Sequence, residues 1–206
     1  MSMVNAPYGL KPVKRADGLP YAGATSQYLI NPAGTATNIF NGAVVNLDAN
    51  GYIVLSTATG ADATTNALPA GTTLTGSLGV FVGCEYVNAQ GQVIFSQYYP
   101  ANYAAPSGTS IKAYVVDDPN VLFQVQLNGS AAQTVLGTNT FFSAAQSTST
   151  GNTATGNSTS AMTSSVVTTS AAFRIVSIVS PAGDSFAEVL VKFNPGYHSL
   201  TNAVGL

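Results

Sequence analysis

Charge is scarce in this sequence. Only 7% of its 206 residues are Asp, Glu, Lys or Arg, whereas an ordinary soluble domain carries about 25%. Serine, threonine, asparagine and glycine supply the polarity instead, and 46% of the residues are hydrophobic, which a disordered, highly charged chain would not show. The chain should therefore fold. Its weak surface charge would give a free monomer little repulsion, so we expect it to work inside an assembly.

Residues that carry chemistry are equally few. Cys84 and His198 are the only cysteine and histidine, which excludes an intrachain disulfide, a zinc finger and a His-rich metal site. Cys84 lies in the apolar run GVFVGCEYV, where we expect a small buried side chain rather than a nucleophile. His198 is expected to be exposed. No Gly-rich phosphate loop or metal motif occurs, so we expect no cofactor.

Long apolar runs are also missing. No stretch approaches the roughly 18 residues of a membrane span, and the N-terminus lacks the apolar centre of a signal peptide. We therefore expect synthesis in the cytoplasm and no membrane partner. Three of the six cations, Lys112, Arg174 and Lys192, are scattered along the chain, which is too few for a phosphate-binding surface. Nucleic-acid binding is not expected.

The other three cations, Lys11, Lys14 and Arg15, lie in the short stretch NAPYGLKPVKR. The prolines in and after this stretch favour an extended, solvated backbone. We therefore divide the chain into an extended basic docking arm, residues 1–22, and a β-rich domain, residues 23–206. The alternative for the arm is a disordered terminus whose charges only keep the chain soluble.

Strand signals are frequent, and helix signals are nearly absent. The segment AVVNLDANGYIVLS (43–56) places two apolar runs around Asn50-Gly51, a pair that favours a tight type I′ hairpin. The segment 76–99 repeats this plan, with its turn at NAQG (88–91). Strict alternation of apolar residues predicts further strands, each with one face in a core and one face in water. Their core positions are Val121, Phe123, Val125 and Leu127 in one strand and Val189, Val191 and Phe193 in another.

Many short strands separated by Gly, Pro and Asn turns predict a mainly β fold: an antiparallel β-barrel or β-sandwich of the β-tulip or jelly-roll-like kind. Residues 143–172 interrupt it with a long Ser/Thr-rich insertion. This insertion belongs to a stretch from Pro119 to Phe173 that contains no charged residue. It is either a flexible loop or an extended segment that neighbouring subunits order.

The best enzymatic candidate is GDSFA (183–187), with Ser185 as nucleophile and His198 as its base. The last position of the motif is Ala187 instead of glycine, the flanks predict strand–turn–strand, and Pro195 stands where a triad carboxylate would be needed. A hairpin turn between the final two strands explains the segment better. We therefore do not expect an enzyme.

Two other clusters have ordinary explanations. Asp117 and Asp118 adjoin a Pro-Asn turn, and adjacent carboxylates on an extended chain point to opposite faces, which argues against a shared calcium ion. Tyr98, Tyr99 and Tyr103 are spaced like a sugar-binding platform, but tyrosines at a sheet edge more often pack against their own fold.

Several blocks of the sequence together resemble one family. VNAPYGLKPVKRADGLPYAGAT, IFNGAVVNL, GVFVGCEYVNAQGQVIFSQYYPA, AYVVDDPNVLFQVQ, FRIVSIV and FAEVLVKFNPGYH are similar to capsid decoration, or cement, proteins of tailed bacteriophages. The resemblance covers most of the chain except 143–172 and contains no catalytic signature. It implies a β-rich virion protein, typically a homotrimer, on the outer capsid surface at three-fold positions.

The resemblance also implies the partners, which are the major capsid protein and further copies of the chain. The arm would then dock on the shell, with backbone groups available for strand addition and cations available for an acidic surface. Its candidate contacts are Pro7, Tyr8, Lys11, Lys14 and Arg15. The alternative is a tail-associated or receptor- or glycan-binding virion protein with the tyrosine cluster as its ligand face.

Overall fold

A computed structural model describes residues 4–56, 76–146 and 151–201. These residues form short β-strands and two 3₁₀ turns, Gln133–Val135 and Ser199–Thr201, and no α-helix occurs among them. No helix in the described ranges is long and apolar enough to cross a membrane. The strands are β1 (Lys11–Arg15), β2 (Ser26–Ile30), β3 (Ile39–Phe40), β4 (Val44–Leu47), β5 (Ile53–Leu55), β6 (Gly79–Val87), β7 (Val93–Ser96), β8 (Tyr98–Tyr99), β9 (Ile111–Val116), β10 (Val121–Gln126), β11 (Asn139–Thr140), β12 (Gly151–Asn152), β13 (Asn157–Ser158), β14 (Phe173–Ile178) and β15 (Glu188–Phe193).

Two antiparallel sheets contain most of these strands. Sheet I has the order β1-β10-β15-β14-β11, and sheet II has the order β2-β9-β6-β4-β5. The strand β7 also belongs to sheet II, because it pairs with the C-terminal half of β6. Two small pairs, β3-β8 and β12-β13, complete the architecture. The mainly antiparallel β class predicted from the sequence is thus confirmed, while neither sheet closes into a barrel among the described strands.

Both predicted hairpins form, but neither uses a two-residue turn. In the β4–β5 loop, Oδ1 of Asp48 accepts the backbone N–H groups of Asn50 and Tyr52, at 2.8 and 2.9 Å. Asn88 bonds two backbone N–H groups of the β6–β7 loop in the same way. Such Asx bonds stabilise a turn that begins at the Asx residue. The type I′ turn predicted at Asn50-Gly51 is therefore replaced by a longer loop that Asp48 holds.

The buried apolar residues form two cores. The first lies between sheet I and one face of sheet II, and it includes the alternating residues predicted on β10 and β15. The second lies on the opposite face of sheet II, against β3 and β8. Consecutive residues on three strands of sheet II enter different cores, which joins the two cores through one layer of backbone. These pairs are Val44 and Val45, Val80 and Phe81, and Val116 and Val115.

The alternation predicted that the second face of β10 lies in water, but this face is covered. Leu122 and Gln126 on that face are 2% and 3% exposed. The N-terminal residues lie over Gln126: its Oε1 accepts the N–H of Ala6 at 2.9 Å, and its Nε2 donates to the carbonyl of Val4 at 3.0 Å. The alternation predicted the core face correctly, but it carries no information about a segment of the same chain that covers the other face.

The Ser/Thr-rich insertion packs on its own chain over its described parts, 143–146 and 151–172. Met162 is fully buried and exchanges backbone hydrogen bonds with the end of β10. The side chain of Gln146 is also buried; its Oε1 accepts the N–H of Val44 at 2.8 Å. Over these described residues, the insertion is thus held to its own chain by buried side chains and backbone hydrogen bonds.

Replacing Gln146 by alanine should lower the free energy of unfolding by about 1–3 kcal/mol, because the buried N–H of Val44 loses its acceptor. Urea denaturation of the variant and the wild type measures this difference. The matched control is Gln133→Ala, at an exposed glutamine, which should change the free energy by less than about 0.5 kcal/mol. Equal effects of the two substitutions would contradict the packing of the insertion.

Candidate docking surfaces

The basic N-terminal segment is a strand of sheet I rather than a separate arm. Leu10 is fully buried in the first core, and its N–H donates to the carbonyl of Gly42 at 2.9 Å. Gly9 has φ 76°, and a Cβ there would lie 2.7 Å from the carbonyl oxygen of Gly42, so only glycine fits this close approach. Residues 11–15 are extended, as predicted, and they pair with β10 next to the buried Leu10.

A shift in strand pairing decides where the arm's lysines point. Lys11 pairs with Gln124 and Lys14 pairs with Leu122, with a β-bulge between Pro12 and Lys14. In a regular strand, residues three apart point to opposite faces. The bulge adds one residue and so returns Lys14 to the face of Lys11. Both lysines are exposed on the outer face of sheet I.

The other three candidate contacts of the arm are partly buried. Arg15 lies 3.0 Å from Asp17 and 3.0 Å from Asp118, so its charge is already compensated within the chain. Pro7 and Tyr8 are half-buried. The ring of Tyr8 lies 4.4 Å from Nζ of Lys11 in a cation–π contact, and burial raises the pKa of its hydroxyl well above the ordinary value. Lys11 and Lys14 are therefore the two exposed members of the set, with the ammonium of Lys11 over the Tyr8 ring.

The outer edge of β1 is poorly suited to strand addition. Pro12 has no N–H to donate, the bulge distorts the edge, and lysines flank it; each of these features protects an edge strand. The carbonyl of Val13 also accepts the N–H of Tyr21 at 3.4 Å. The expectation of backbone pairing at this strand is thus not supported by its geometry, and what the strand offers is charge.

The catalytic candidates do not come together. Ser185 is exposed in the turn between β14 and β15, where the sequence predicted a hairpin turn. His198 is only 1% exposed, packs edge-on against the ring of Phe193 at 5.1 Å, and accepts the N–H of Leu200 at Nδ1. No hydrogen bond joins Ser185 to His198 in the described part of the chain. The prediction that His198 is exposed was wrong, because the segment around it pairs with Ser77 and is drawn into the fold.

The paired aspartates serve the turn and the neighbouring strand. Asp117 accepts hydrogen bonds from Oγ of Ser26 at 2.9 Å and from the hydroxyl of Tyr28 at 2.7 Å. Asp118 accepts the N–H of Asn120 at 2.8 Å within the turn. The turn predicted here is confirmed. Within residues 4–56, 76–146 and 151–201, no group of three His, Cys, Asp or Glu side chains is placed to hold a metal ion.

The tyrosine cluster is used for packing. Tyr99 is fully buried, and its hydroxyl donates to the carbonyl of Tyr103. Tyr103 contacts the ring of Tyr86 and donates to the carbonyl of Val87 at 2.5 Å, while Tyr98 stacks on a phenylalanine ring. The rings therefore present no open sugar-binding platform, and the packing interpretation is confirmed.

Cys84, near these rings, is 2% exposed, and burial raises the pKa of its thiol to about 12. This is the small buried side chain predicted from the sequence.

The face of sheet II that bears the first core carries, beyond that core, a surface that sequence reasoning missed. Pairing across four strands aligns Leu29, Lys112, Glu85 and Phe95 in one row. Lys112 and Glu85 form an ion pair at 3.2 Å in the middle of the row. Phe95 is 72% exposed at one end, beside Val93 at 54%, and Leu29 is 47% exposed at the other end. The run VIFS that contains Phe95 is apolar at three successive positions, so alternation gave no signal of which side chain faces water.

Comparison with known proteins adds no assignment. No family model, curated protein or solved structure matches this chain. The resemblance to capsid decoration proteins rests on the sequence blocks alone, so a function has to be argued from the surfaces described above.

The burial of His198 predicts a loss of stability in mild acid. Burial lowers the pKa of its imidazole below the ordinary 6.5, an effect partly opposed by the negative charges of Asp117 and Asp118. The unfolded chain therefore binds the proton more readily, and stability present above about pH 6.5 is lost as the pH falls below it. Urea denaturation at pH 7.5 and pH 5.5 should show the lower free energy of unfolding at pH 5.5.

The variant His198→Gln provides the control, because it removes the one histidine of the chain. The hydrogen-bonded carboxylates Glu85 and Asp17 have lowered pKa values, so their stabilisation is lost only in stronger acid. The variant should show little difference between the two pH values. A wild-type stability that is flat from pH 7.5 to 5.5 would contradict a buried, neutral His198.

Proposed function

We propose that this chain is a structural virion protein that decorates and stabilises the outer surface of a tailed-phage capsid. It is made in the host cytoplasm and joins the virion by binding the major capsid protein, as a homotrimer at three-fold positions. It acts through contact area and has no catalytic role. A β-tulip or jelly-roll-like topology is part of this proposal, as the finer description of the antiparallel β fold.

The observation that carries the proposal is the pair of lysines on β1. The chain has six cations, and the bulge brings Lys11 and Lys14 to one exposed face of an edge strand. Because Leu10 anchors the strand in the first core, the two charges are held on a rigid element. Complementary charge steers docking and fixes its orientation more than it adds affinity. A fixed pair of cations on an otherwise weakly charged protein supports docking on an acidic shell surface.

The rest of the chain supports a role that needs area more than chemistry. The ionisable side chains singled out as chemical candidates are engaged within the fold: Asp117 with the neighbouring strand, Asp118 in a turn, and Cys84 and His198 in the interior. The alternative of a glycan-binding virion protein loses its proposed ligand face, because Tyr99 and Tyr103 bond within the fold. No observation on the described residues favours that alternative over decoration.

The test is co-sedimentation of the purified protein with expanded capsid shells of the phage that encodes it. The double substitution Lys11→Gln and Lys14→Gln should weaken binding at least tenfold at low ionic strength. Binding of the wild type should weaken as salt is added, because exposed charges are screened. Both lysines are exposed, so the fold should be retained, which circular dichroism checks.

A charge-matched control is available on the same sheet. Arg174 and Lys192 stand opposite each other in the pairing of β14 with β15, away from β1. The double substitution Arg174→Gln and Lys192→Gln removes the same charge and should leave binding within about twofold of the wild type. Failure of the wild type to bind the shells, or equal losses in both double variants, would contradict the proposal.

A further inference from the structure

The edges of the two sheets differ in how well they are protected against pairing with another chain. At β1, an outer strand of sheet I, a proline, a bulge and two lysines discourage such pairing. In sheet II, the outer strands β2 and β5 lie against each other. The strand β7 pairs with β6 on one side, and no described strand pairs with its other side. Its sequence, VIFS, has no charge and no proline, and an unprotected apolar edge strand is a site at which another chain can add.

The register of the β6–β7 hairpin identifies the free backbone groups of β7. The N–H of Asn88 donates to the carbonyl of Gln92 at 2.8 Å, which makes these residues the first hydrogen-bonded pair of the hairpin. Hydrogen-bonded and non-hydrogen-bonded pairs alternate along an antiparallel ladder, so Ile94 bonds to β6. The N–H and carbonyl groups of Val93 and Phe95 therefore point away from β6. No backbone group of the described residues bonds to them.

The same two residues carry the exposed side chains of the strand. Phe95 is 72% exposed and Val93 is 54% exposed. Residues two apart in a strand share a face, so both side chains lie on one face of sheet II, while the half-buried Ile94 points to the other. The edge thus offers free backbone groups and apolar side chains at the same positions.

Two copies of this edge fit each other in one antiparallel register. When Ile94 stands opposite Ile94 of a second copy, Val93 of each copy stands opposite Phe95 of the other. Because these residues have the outward backbone groups, each such pair can exchange two N–H···O bonds. The four exposed side chains then share one face, where a phenyl ring meets a valine twice. A two-fold axis between the Ile94 residues relates the copies, as an isologous contact requires.

Charge does not oppose this contact. In a two-fold contact each charge near the axis lies close to its own image, and like charges directly opposite each other are destabilising. Residues 86–111, which include β7 and the loops on both sides of it, contain no charged residue. The charges that flank this stretch, Glu85 and Lys112, form an ion pair at 3.2 Å. The edge of one copy therefore adds no net charge to the edge of the other.

We infer that two copies of this protein pair through β7 across a two-fold axis and so join their sheets II into one antiparallel sheet. The contact is isologous, so it stops at two chains and cannot itself build the proposed trimer. On a shell it joins copies of neighbouring trimers, because adjacent three-fold positions of an icosahedral surface are related by local two-fold axes. That consequence rests on the proposed function. The pairing itself needs no capsid and uses no residue of β1.

The test is disulfide trapping at the two-fold axis. Cys84, the one native cysteine, is buried, so an introduced cysteine supplies the reactive thiol. Ile94→Cys places two thiols across the axis in a non-hydrogen-bonded pair. The Cα atoms of such a pair are about 4.5 Å apart, within the range that a disulfide needs. Mild oxidation should link at least about half of the variant into a species of two chains, and none into three, on a non-reducing denaturing gel.

Two variants serve as controls. Val176→Cys introduces a thiol at a valine that is 43% exposed on sheet I, and it should give less than about a tenth of the two-chain species. Phe95→Asp in the Ile94→Cys chain brings a carboxylate from each copy to one face and should reduce trapping at least tenfold. Circular dichroism checks the folding of each variant. If Ile94→Cys does not fold, an equal mixture of Val93→Cys and Phe95→Cys takes its place, because these residues stand opposite each other in the same register.

Equal trapping of Ile94→Cys and Val176→Cys, a folded Ile94→Cys variant that stays at one chain, or trapping that survives Phe95→Asp would overturn the inference. Its failure is distinguishable from failure of the proposed function, which the co-sedimentation assay tests through the lysines of β1. A protein that binds shells but is not trapped keeps the proposed function and loses the two-fold contact.

Discussion

Burial on both faces of sheet II is the constraint on which the rest of the structure depends. Where β4, β6 and β9 run side by side, each contributes two consecutive apolar residues that enter different cores, as Val80 and Phe81 do on β6. Water is thereby excluded from both faces, and sheet I is held against sheet II. Gly79, at the start of β6, has no room for a side chain, because a Cβ there would lie 2.3 Å from the carbonyl oxygen of Val116. Because β6 and β9 approach so closely here, the side chains of both cores are held by the same layer of backbone.

The few charges of the chain are placed differently on the two sheets. On sheet I, the bulge in β1 brings Lys11 and Lys14 to one face and at the same time protects the edge from pairing. On sheet II, the charged pair Lys112 and Glu85 lies mid-row, and the ends of the row are apolar. The exposed lysines on β1 thus mark the surface that is proposed to meet an acidic shell.

Local patterns predicted much of the fold, because alternation and turn residues are properties of a few neighbouring positions. The strands and their core residues, the hairpin at GDSFA and the packing of Tyr99 follow from such patterns. The burial of His198 could not be predicted, because it depends on pairing with Ser77, far away in sequence. The bulge that aligns the two lysines is a property of the pairing with β10. The packing of the Ser/Thr-rich insertion could not be predicted, because small polar side chains carry no alternation signal and pack through hydrogen bonds, with Met162 as the long apolar anchor.

The central claim is that this protein belongs on the outer surface of the capsid. Its most direct test is a difference map by electron cryo-microscopy between shells with and without the bound protein. The account predicts additional β-rich density at the three-fold positions, three copies to each, with the β1 edge of every copy facing the shell. Density confined to the tail vertex, or density in which β1 points away from the shell, would contradict it.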